Sequence, residues 1–266
     1  MGDRVLYRTI YDEKIKNCEI AYYKCFAEAF ESKNVIRFRD NLLTDMHYHN
    51  FTLIKRSDSD KELFHCIEDE IAWRRTEGED FCNIIPNIPI TANLLQRFKN
   101  TPQTTVSGYY AFDVRQFPEF RTKRDCLLTK VDHVKMLEDT LRLDIEEAGD
   151  NAVIDFCTRK VNRRGKVYLS NKGVDSYLCY EDNQVVGTCD LFIHENIAKI
   201  EDFSVSKAKQ RQGYGTAILK SIMEIAINSG ASMIYLLTHE EDTAKEMYLK
   251  CGFTKINEQT DLFFKL

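Results

Sequence analysis

Along the second half of the chain the spacing of apolar positions changes in a regular order. Residues 198–205 (AKIEDFSV) set β-branched and aromatic side chains between polar ones, the alternation of a strand. From Thr216 the apolar positions move to Ile218, Leu219, Ile222, Met223 and Ala226, one stripe of a helix. That helix stops at Asn228-Ser229-Gly230, where glycine can take a left-handed cap. Residues 232–238 (SMIYLLT) return to a strand pattern and 241–253 (EDTAKEMYLKCGF) to a helical one. Upstream, residues 132–147 and 150–163 read as helices separated by Gly149, with Asp150 as N-cap. Residues 176–180 and 184–193 read as a hairpin turning at Asp182-Asn183.

The first half repeats part of this order. Residues 11–30 predict a helix with Ile15, Cys18, Ile20, Tyr22, Cys25, Phe26 and Phe30 on its apolar faces. Strand 48–55, helix 60–73, strand 81–85, short helix 91–98 and strand 106–114 follow. The pattern breaks over 116–130, where Pro118 and mixed charges interrupt it. We therefore expect two α+β domains, residues 1–122 and 123–266.

The most specific chemistry lies at residues 200–219 (IEDFSVSKAKQRQGYGTAIL). A strand leads through a short basic loop to Gln210-x-x-Gly213-x-Gly215 and then a helix. Gly213 and Gly215 carry no side chain, so phosphate oxygens can approach the main chain. First-turn amides of a helix lack intrahelical partners, and the macrodipole favours an anion there by about 0.3–1 kcal/mol. Lys207, Lys209 and Arg211 add positive potential. A dinucleotide-binding GxGxxG is excluded because position 218 is Ile218, and no Gly-Lys-Ser/Thr follows for a Walker A loop. These residues alone leave two readings open, a diphosphate cradle or a tight turn before a helix.

This segment resembles the pyrophosphate-binding motif of the GNAT superfamily of N-acetyltransferases, Arg/Gln-x-x-Gly-x-Gly/Ala after a central strand. Residues 241–253 resemble the family's Asn-x-x-Ala-x-x-x-Tyr-x-Lys-x-Gly-Phe helix, matching at Ala244, Tyr248, Lys250, Gly252 and Phe253, with Glu241 in place of the asparagine. The resemblance spans roughly residues 131–266. It implies a central mixed, mainly antiparallel sheet flanked by helices, with acetyl-CoA as co-substrate and an amine as acceptor. Cofactor contacts would fall to Phe203, Ser204, Val205, Gln210, Arg211, Gln212, Gly213, Tyr214, Gly215, Thr216, Glu241 and Ala244. The pantetheine arm would lie where the strand at 203–205 splays from the next, and the early helices would line the acceptor pocket. The N-terminal half is either a second, degenerate domain of this kind or an unrelated α+β domain. Its strand-to-helix loop, KRSDSDK at 55–61, has no glycine and two aspartates, which would repel a diphosphate.

The chemistry asks for two proton transfers. An amine of pKa near ~10.4 is mostly protonated at pH 7, and freeing it costs roughly 4–5 kcal/mol. Glu201 and Asp202 are the nearest carboxylates, alternation sends them to opposite faces, and Glu201 is the expected base, directly or through water. Tyr248 sits where the family carries its general acid. Phenol and thiol reference values make full transfer uphill by roughly 2 kcal/mol, so a hydrogen bond to the developing thiolate is its expected role.

Other candidates are weaker. His47-Tyr48-His49 would place two imidazoles on one strand face without a third metal ligand. His239-Glu240-Glu241-Asp242 puts acids where a helix dipole favours them. Arg159, Lys160, Arg163 and Arg164 read as a solvated helix end or a contact for an acidic partner. No metal is expected.

At 266 residues, 43% hydrophobic and 30% charged, the chain is long enough for two domains. A net charge of −5 argues against generic nucleic-acid binding. Nine scattered cysteines without a Cys-x-x-Cys pair suit a reducing, cytoplasmic setting. Met1-Gly2-Asp3-Arg4 leads into no apolar core, so no leader peptide is expected, and no 18-residue apolar run predicts a membrane span. The expected activity is acetyl transfer from acetyl-CoA to a primary amine. The alternative is a non-catalytic acyl-CoA-binding regulatory module, and a third, disfavoured by the acidic balance, is aminoacyl transfer by tandem domains.

Overall fold

A computed structural model of the chain describes residues 2–150, 153–171 and 173–266, with side chains from Glu13 onward. Met1 and, within the helix expected over 150–163, Asn151 and Ala152 lie outside the described residues. The order begins α1 (Gly2–Tyr23), β1 (Glu28–Glu31), β2 (Val35–Arg39), β3 (Phe51–Ile54), α2 (Asp60–Thr76), β4 (Phe81–Pro86), α3 (Ala92–Leu95) and β5 (Gln103–Asp113). Then come β6 (Leu128–Lys130), α4 (Val134–Ala148), α5 (Ile154–Tyr168), β7 (Val174–Glu181), β8 (Gln184–His194) and β9 (Ile197–Val205). The last elements are α6 (Tyr214–Asn228), β10 (Met233–His239), α7 (Ala244–Lys250) and β11 (Thr254–Lys265).

The chain divides into two units interleaved in sequence. The first holds Met1–Phe26, Tyr110–Leu237 and Glu246–Thr254; the second holds Ala27–Tyr109, Thr238–Lys245 and Lys255–Leu266. A single break near residue 122 therefore does not describe the division. The reason is pairing at both ends of the chain: α1 is tied by Glu19 to Lys199 of β9, and β11 pairs with β4 from Leu262↔Ile84 to Lys265↔Phe81.

In the first unit the strand order is β10-β9-β8-β7-β6. Only β10 and β9 are parallel; the other neighbours are antiparallel. The hairpin at Asp182-Asn183 forms as the sequence predicts, with both residues at positive φ (50° and 60°), the backbone a two-residue primed turn requires. The helical stripe of α6 is buried as read, from Ala217 through Ala226. In α5, Val153 rather than Asp150 occupies the N-cap position.

Of the basic cluster on α5, Arg159 is exposed, but Lys160 and Arg164 are not part of a solvated end. Arg164 is buried, donating to Asp190 at 2.7 Å and to the Tyr22 hydroxyl at 3.0 Å, while Lys160 lies 2.9 Å from Asp144. A second buried group joins three elements: Lys199 lies 2.7 Å from Glu19 and 2.9 Å from Glu201, and Tyr235 donates to Glu19 at 2.6 Å. Burial opposes the Lys199 charge, but the two carboxylates outweigh it and hold its ammonium well above the ordinary lysine range.

The second unit has the order β1-β2-β3-β4-β11, with β3 and β4 parallel and the other neighbours antiparallel. Its core joins Ile54, Leu63, Ile67, Ile84, Leu262 and Phe264. Each unit is thus a mixed, mainly antiparallel sheet with helices packed on it, the α+β class expected. The helix predicted over 11–30 ends at Tyr23, and Phe30 lies instead in β1, opposite Arg37. His47 and His49 share no strand face, since both precede β3. His47 packs between the rings of Phe81 and Phe263, and His49 Nδ1 lies 2.9 Å from Asp40.

Removing one member of a buried ion pair leaves its partner's charge without compensation. Lys199→Met is expected to cost about 3–5 kcal/mol, read as a lower urea midpoint. The double variant Glu19→Gln/Lys199→Met should recover part of that loss.

Candidate active site

The site begins with an interruption. β9 and β10 pair from Met233↔Ile197 to Leu236↔Ile200 and no further. On its other side β9 pairs with β8, but Thr188 faces Ser204 while Asp190 faces Glu201, so Asp202 and Phe203 together oppose Cys189. This is a β-bulge. Asp202 has φ 48°, left-handed backbone that costs a non-glycine residue about 1–3 kcal/mol. Its carboxylate is drawn toward Arg164 Nε at 3.4 Å and Lys160 Nζ at 3.9 Å, which helps hold the bulge. Residues 201–205 consequently carry one edge that no strand of the first unit covers.

The chain then turns through 210–213 into α6. Arg211 (φ 60°) and Gly213 (φ 90°) are both left-handed, and such turns aim successive amides into one concavity. Gly213 is the N-cap of α6 and supplies no side-chain acceptor. The first helical hydrogen bond runs from Ala217 N to Gly213 O at 3.1 Å. Among the described residues, none accepts from the amides of Tyr214, Gly215 or Thr216. A Cβ built on Gly213 would meet nothing within 4 Å, so no side chain among the described residues fills the space beside it. Gly215 serves packing: a Cβ there would stand 3.0 Å from Met247 Sδ. These amides are those an anion needs.

The equivalent crossing in the second unit is closed. Ser59 Oγ accepts from Glu62 N at 3.2 Å and Glu62 Oε2 from Asp58 N at 2.8 Å, a capping box that occupies the start of α2.

The side chains of the predicted loop brace it. Gln210 Nε2 donates to Val205 O at 3.0 Å and Gln212 Nε2 to Ala208 O at 2.8 Å. Tyr214 turns inward, its hydroxyl receiving Arg124 Nη1 at 2.5 Å. Arg124 also donates to Glu181 at 2.7 Å, and Glu181 is paired with Lys209 as well. The hydrogen bonds from Lys209 and Tyr214, with Arg124 added, pull the Glu181 carboxyl down to about 2. Lys207 and Arg211 are exposed, and Thr216 is half-buried in the first turn.

Tyr248 is buried near the end of α7, its ring edge-on to Phe203 at 6.2 Å and 5.9 Å from Phe253. The predicted acid thus lies beside β9. The predicted base is otherwise engaged: Glu201 Oε2 is 2.9 Å from Lys199 Nζ. Glu241 and Ala244 belong to the second unit; Glu241 is exposed ahead of α7, and the Ala244 amide donates to Asp242 at 2.9 Å. Sequence reasoning missed Arg124, Glu181 and Glu147. Arg124 lies 90 residues from Tyr214, and no local pattern links them. Glu147, at the end of α4, accepts from Ser204, and its carboxyl is held above the usual range by partial loss of water and then by the Asp202 charge.

Residues 140–253 match the Acetyltransferase (GNAT) family. The chain carries a GNAT domain. Over 91 residues it is 33% identical to the "Uncharacterized N-acetyltransferase CgeE" of Bacillus subtilis (strain 168), covering 32% of this chain and only 35% of that relative's length. A functionally unknown conserved protein from Staphylococcus epidermidis ATCC 12228 superposes with a TM-score of 0.74 at 19% identity, over 90% of this chain and 94% of its own. A tandem GNAT protein from the clavulanic acid biosynthesis pathway gives a TM-score of 0.58 at 9% identity, over 87% of this chain and 77% of its own. At these identities the likeness is one of fold, and it extends beyond the GNAT domain to the N-terminal half, which also resembles a GNAT fold. Among the described residues no helix is long and apolar enough to cross a membrane.

The Glu181 ties generate an acid dependence of known sign. A carboxyl whose folded pKa is depressed contributes stability that is complete above its unfolded value, near 4.5, and is lost as pH falls through about 2. The hold on Tyr214, read by its ring NMR shifts, should therefore survive to pH 4 and loosen between there and pH 2. Glu181→Gln should flatten this transition.

Proposed function

We propose that the chain is an N-acetyltransferase that moves an acetyl group from acetyl-CoA to a primary amine by direct attack. One observation carries the reading: an uncovered strand edge over residues 201–205 runs toward an uncapped helix start at Tyr214. A linear amide chain ending in a diphosphate fits that combination, adding to the strand edge by main-chain hydrogen bonds and ending on helix amides.

In this reading the main chain of Phe203, Ser204 and Val205 aligns the pantetheine arm, and an amide there holds the thioester carbonyl. A preorganised donor is worth a few kcal/mol once charge develops on that oxygen. The amides of Tyr214, Gly215 and Thr216 hold the diphosphate, with Arg211 beside them, while Gln210 and Gln212 keep the loop in shape. Tyr248 donates a hydrogen bond to the departing thiolate.

For the base, Glu201 acting through water is the first candidate. A specific observation favours a second. Glu147 makes no ion pair among the described residues, accepts from Ser204 on the same strand, and holds its proton more tightly than an ordinary carboxylate although the Lys160 charge pulls the other way. A base nearer neutrality takes a proton from an ammonium at smaller cost.

Titration calorimetry with acetyl-CoA, followed by thiol release over a panel of amines, tests the proposal. Tyr248→Phe should lower kcat by about 10²-fold, with the acetyl-CoA Kd changing little. Of Glu201→Gln and Glu147→Gln, the variant that loses the acid limb of the kcat/KM profile identifies the base. Binding without thiol release from any amine, unaltered by Tyr248→Phe, would point to the acyl-CoA-binding regulatory module. Absence of binding would exclude both.

A further inference from the structure

We propose that Cys126 and Cys179 form a reversible redox site that sets how firmly the first turn of α6 is held. The two residues, 53 apart in sequence, are joined as a disulfide with Cα atoms 6.4 Å apart. Cys179 is buried in β7, and Cys126 is half-buried just ahead of β6, whose Leu128 stands opposite Cys179.

The importance of the pair lies in what its neighbours hold. The segment 124–126 grips α6 three times. Arg124 donates to the Tyr214 hydroxyl at 2.5 Å and lies 4.0 Å over its ring. Asp125 faces Lys220 at 3.7 Å, and Cys126 O accepts from Ser221 Oγ at 2.5 Å. Through Glu181 the same arginine reaches Lys209, in the loop ahead of α6. The uncapped amides at 214–216 thus lie between two points that this segment steadies. Without the disulfide, residues 121–127 would be attached to β7 only through the short β6 ladder and side-chain contacts, each of which must meet the entropy of ordering the segment.

The chemistry balances. A thiolate of a dithiol reductant attacks Sγ of Cys126, the sulfur nearer solvent, and Cys179 leaves as a thiolate that takes a proton. The second thiol of the reductant then closes its own disulfide and releases Cys126 as a thiol, two electrons having passed to the protein. In the other direction a peroxide oxidises Cys126 to a sulfenic acid and releases water. Cys179 then displaces a second water to restore the S–S bond. The other cysteines offer no competing pair. Cys18, Cys25, Cys66, Cys82, Cys157, Cys189 and Cys251 are unbonded, and burial discourages their thiolates.

The test uses the full chain in two states, one mildly oxidised with peroxide and one reduced with dithiothreitol. Thiol trapping and peptide mass spectrometry should find the 126–179 cross-link only in the first. Hydrogen exchange at the hydrogen-bonded amides of residues 217–221 should be about threefold to tenfold slower in the oxidised state, the range that one or two net hydrogen bonds support. Cys126→Ser/Cys179→Ser should exchange like the reduced protein under both conditions. Arg124→Gln should still form the cross-link but lose the difference in exchange. Failure of the pair to cross-link, or equal exchange in the two states, overturns the proposal.

One further arm rests on the diphosphate reading of 214–216: acetyl-CoA should bind about threefold to tenfold more tightly to the oxidised protein. Equal binding in both states would overturn the switch and leave that reading standing. No binding in either state, with exchange still redox-dependent, would overturn the reading and leave the switch.

Discussion

The arrangement depends on β9 ceasing to pair with β10 after Ile200. A strand in the middle of a sheet ordinarily satisfies both of its edges, and an uncovered edge inside a fold is expensive unless something else takes up its polar groups. Here the two-against-one bulge at Asp202-Phe203 bends β9 at the place where pairing stops. The left-handed backbone at Asp202 is compensated by its attraction to Arg164 and Lys160. Those two cations are themselves fixed by Asp190 and Asp144. A buried charge network thus underwrites an open strand edge.

The two units show that topology alone does not make such a site. Both carry a strand, a crossing helix and a parallel strand: β9-α6-β10 in the first, β3-α2-β4 in the second. The difference is a few side chains at the helix start. Ser59 takes up the Glu62 amide, and the Glu62 carboxylate takes up the Asp58 amide just ahead and sets negative charge at the helix start, so that crossing ends as a closed cap. Gly213 offers no side-chain acceptor and adopts a backbone few other residues tolerate, so this crossing ends uncapped. Resemblance of the second unit to a GNAT fold therefore implies nothing about cofactor binding in it.

Most of the first unit was legible in the sequence because its signals are local. The stripe of α6, the turn at Asp182-Asn183 and the glycines at 213 and 215 each depend on residues within one element. What could not be read depended on distant partners. The exposed edge strand β1 hides within a helical run of apolar spacing, and only pairing with β2 puts Phe30 in a strand. The assignment of α1 to the first unit rests on Glu19 meeting Lys199, which is 180 residues away. A basic cluster at a helix end reads as solvated until Asp190 and Asp202 appear beside it. The turn before α6 could be read from its glycines, but its reinforcement by Arg124 and Glu181 could not.

That same distribution of charge bears on what the acidic residues around the bulge do. Asp144, Asp190, Asp202 and Glu201 each lie within ion-pairing distance of Lys160, Arg164 or Lys199, so their first role is to neutralise buried cations. A carboxylate that holds a buried cation leaves that cation uncompensated when it accepts a proton, which is costly. Among the described residues Glu147 makes no ion pair: it accepts from a neutral serine and reaches solvent. The acids that maintain the bulge are committed to buried cations, whereas Glu147 beside it is exposed and bonds to a serine.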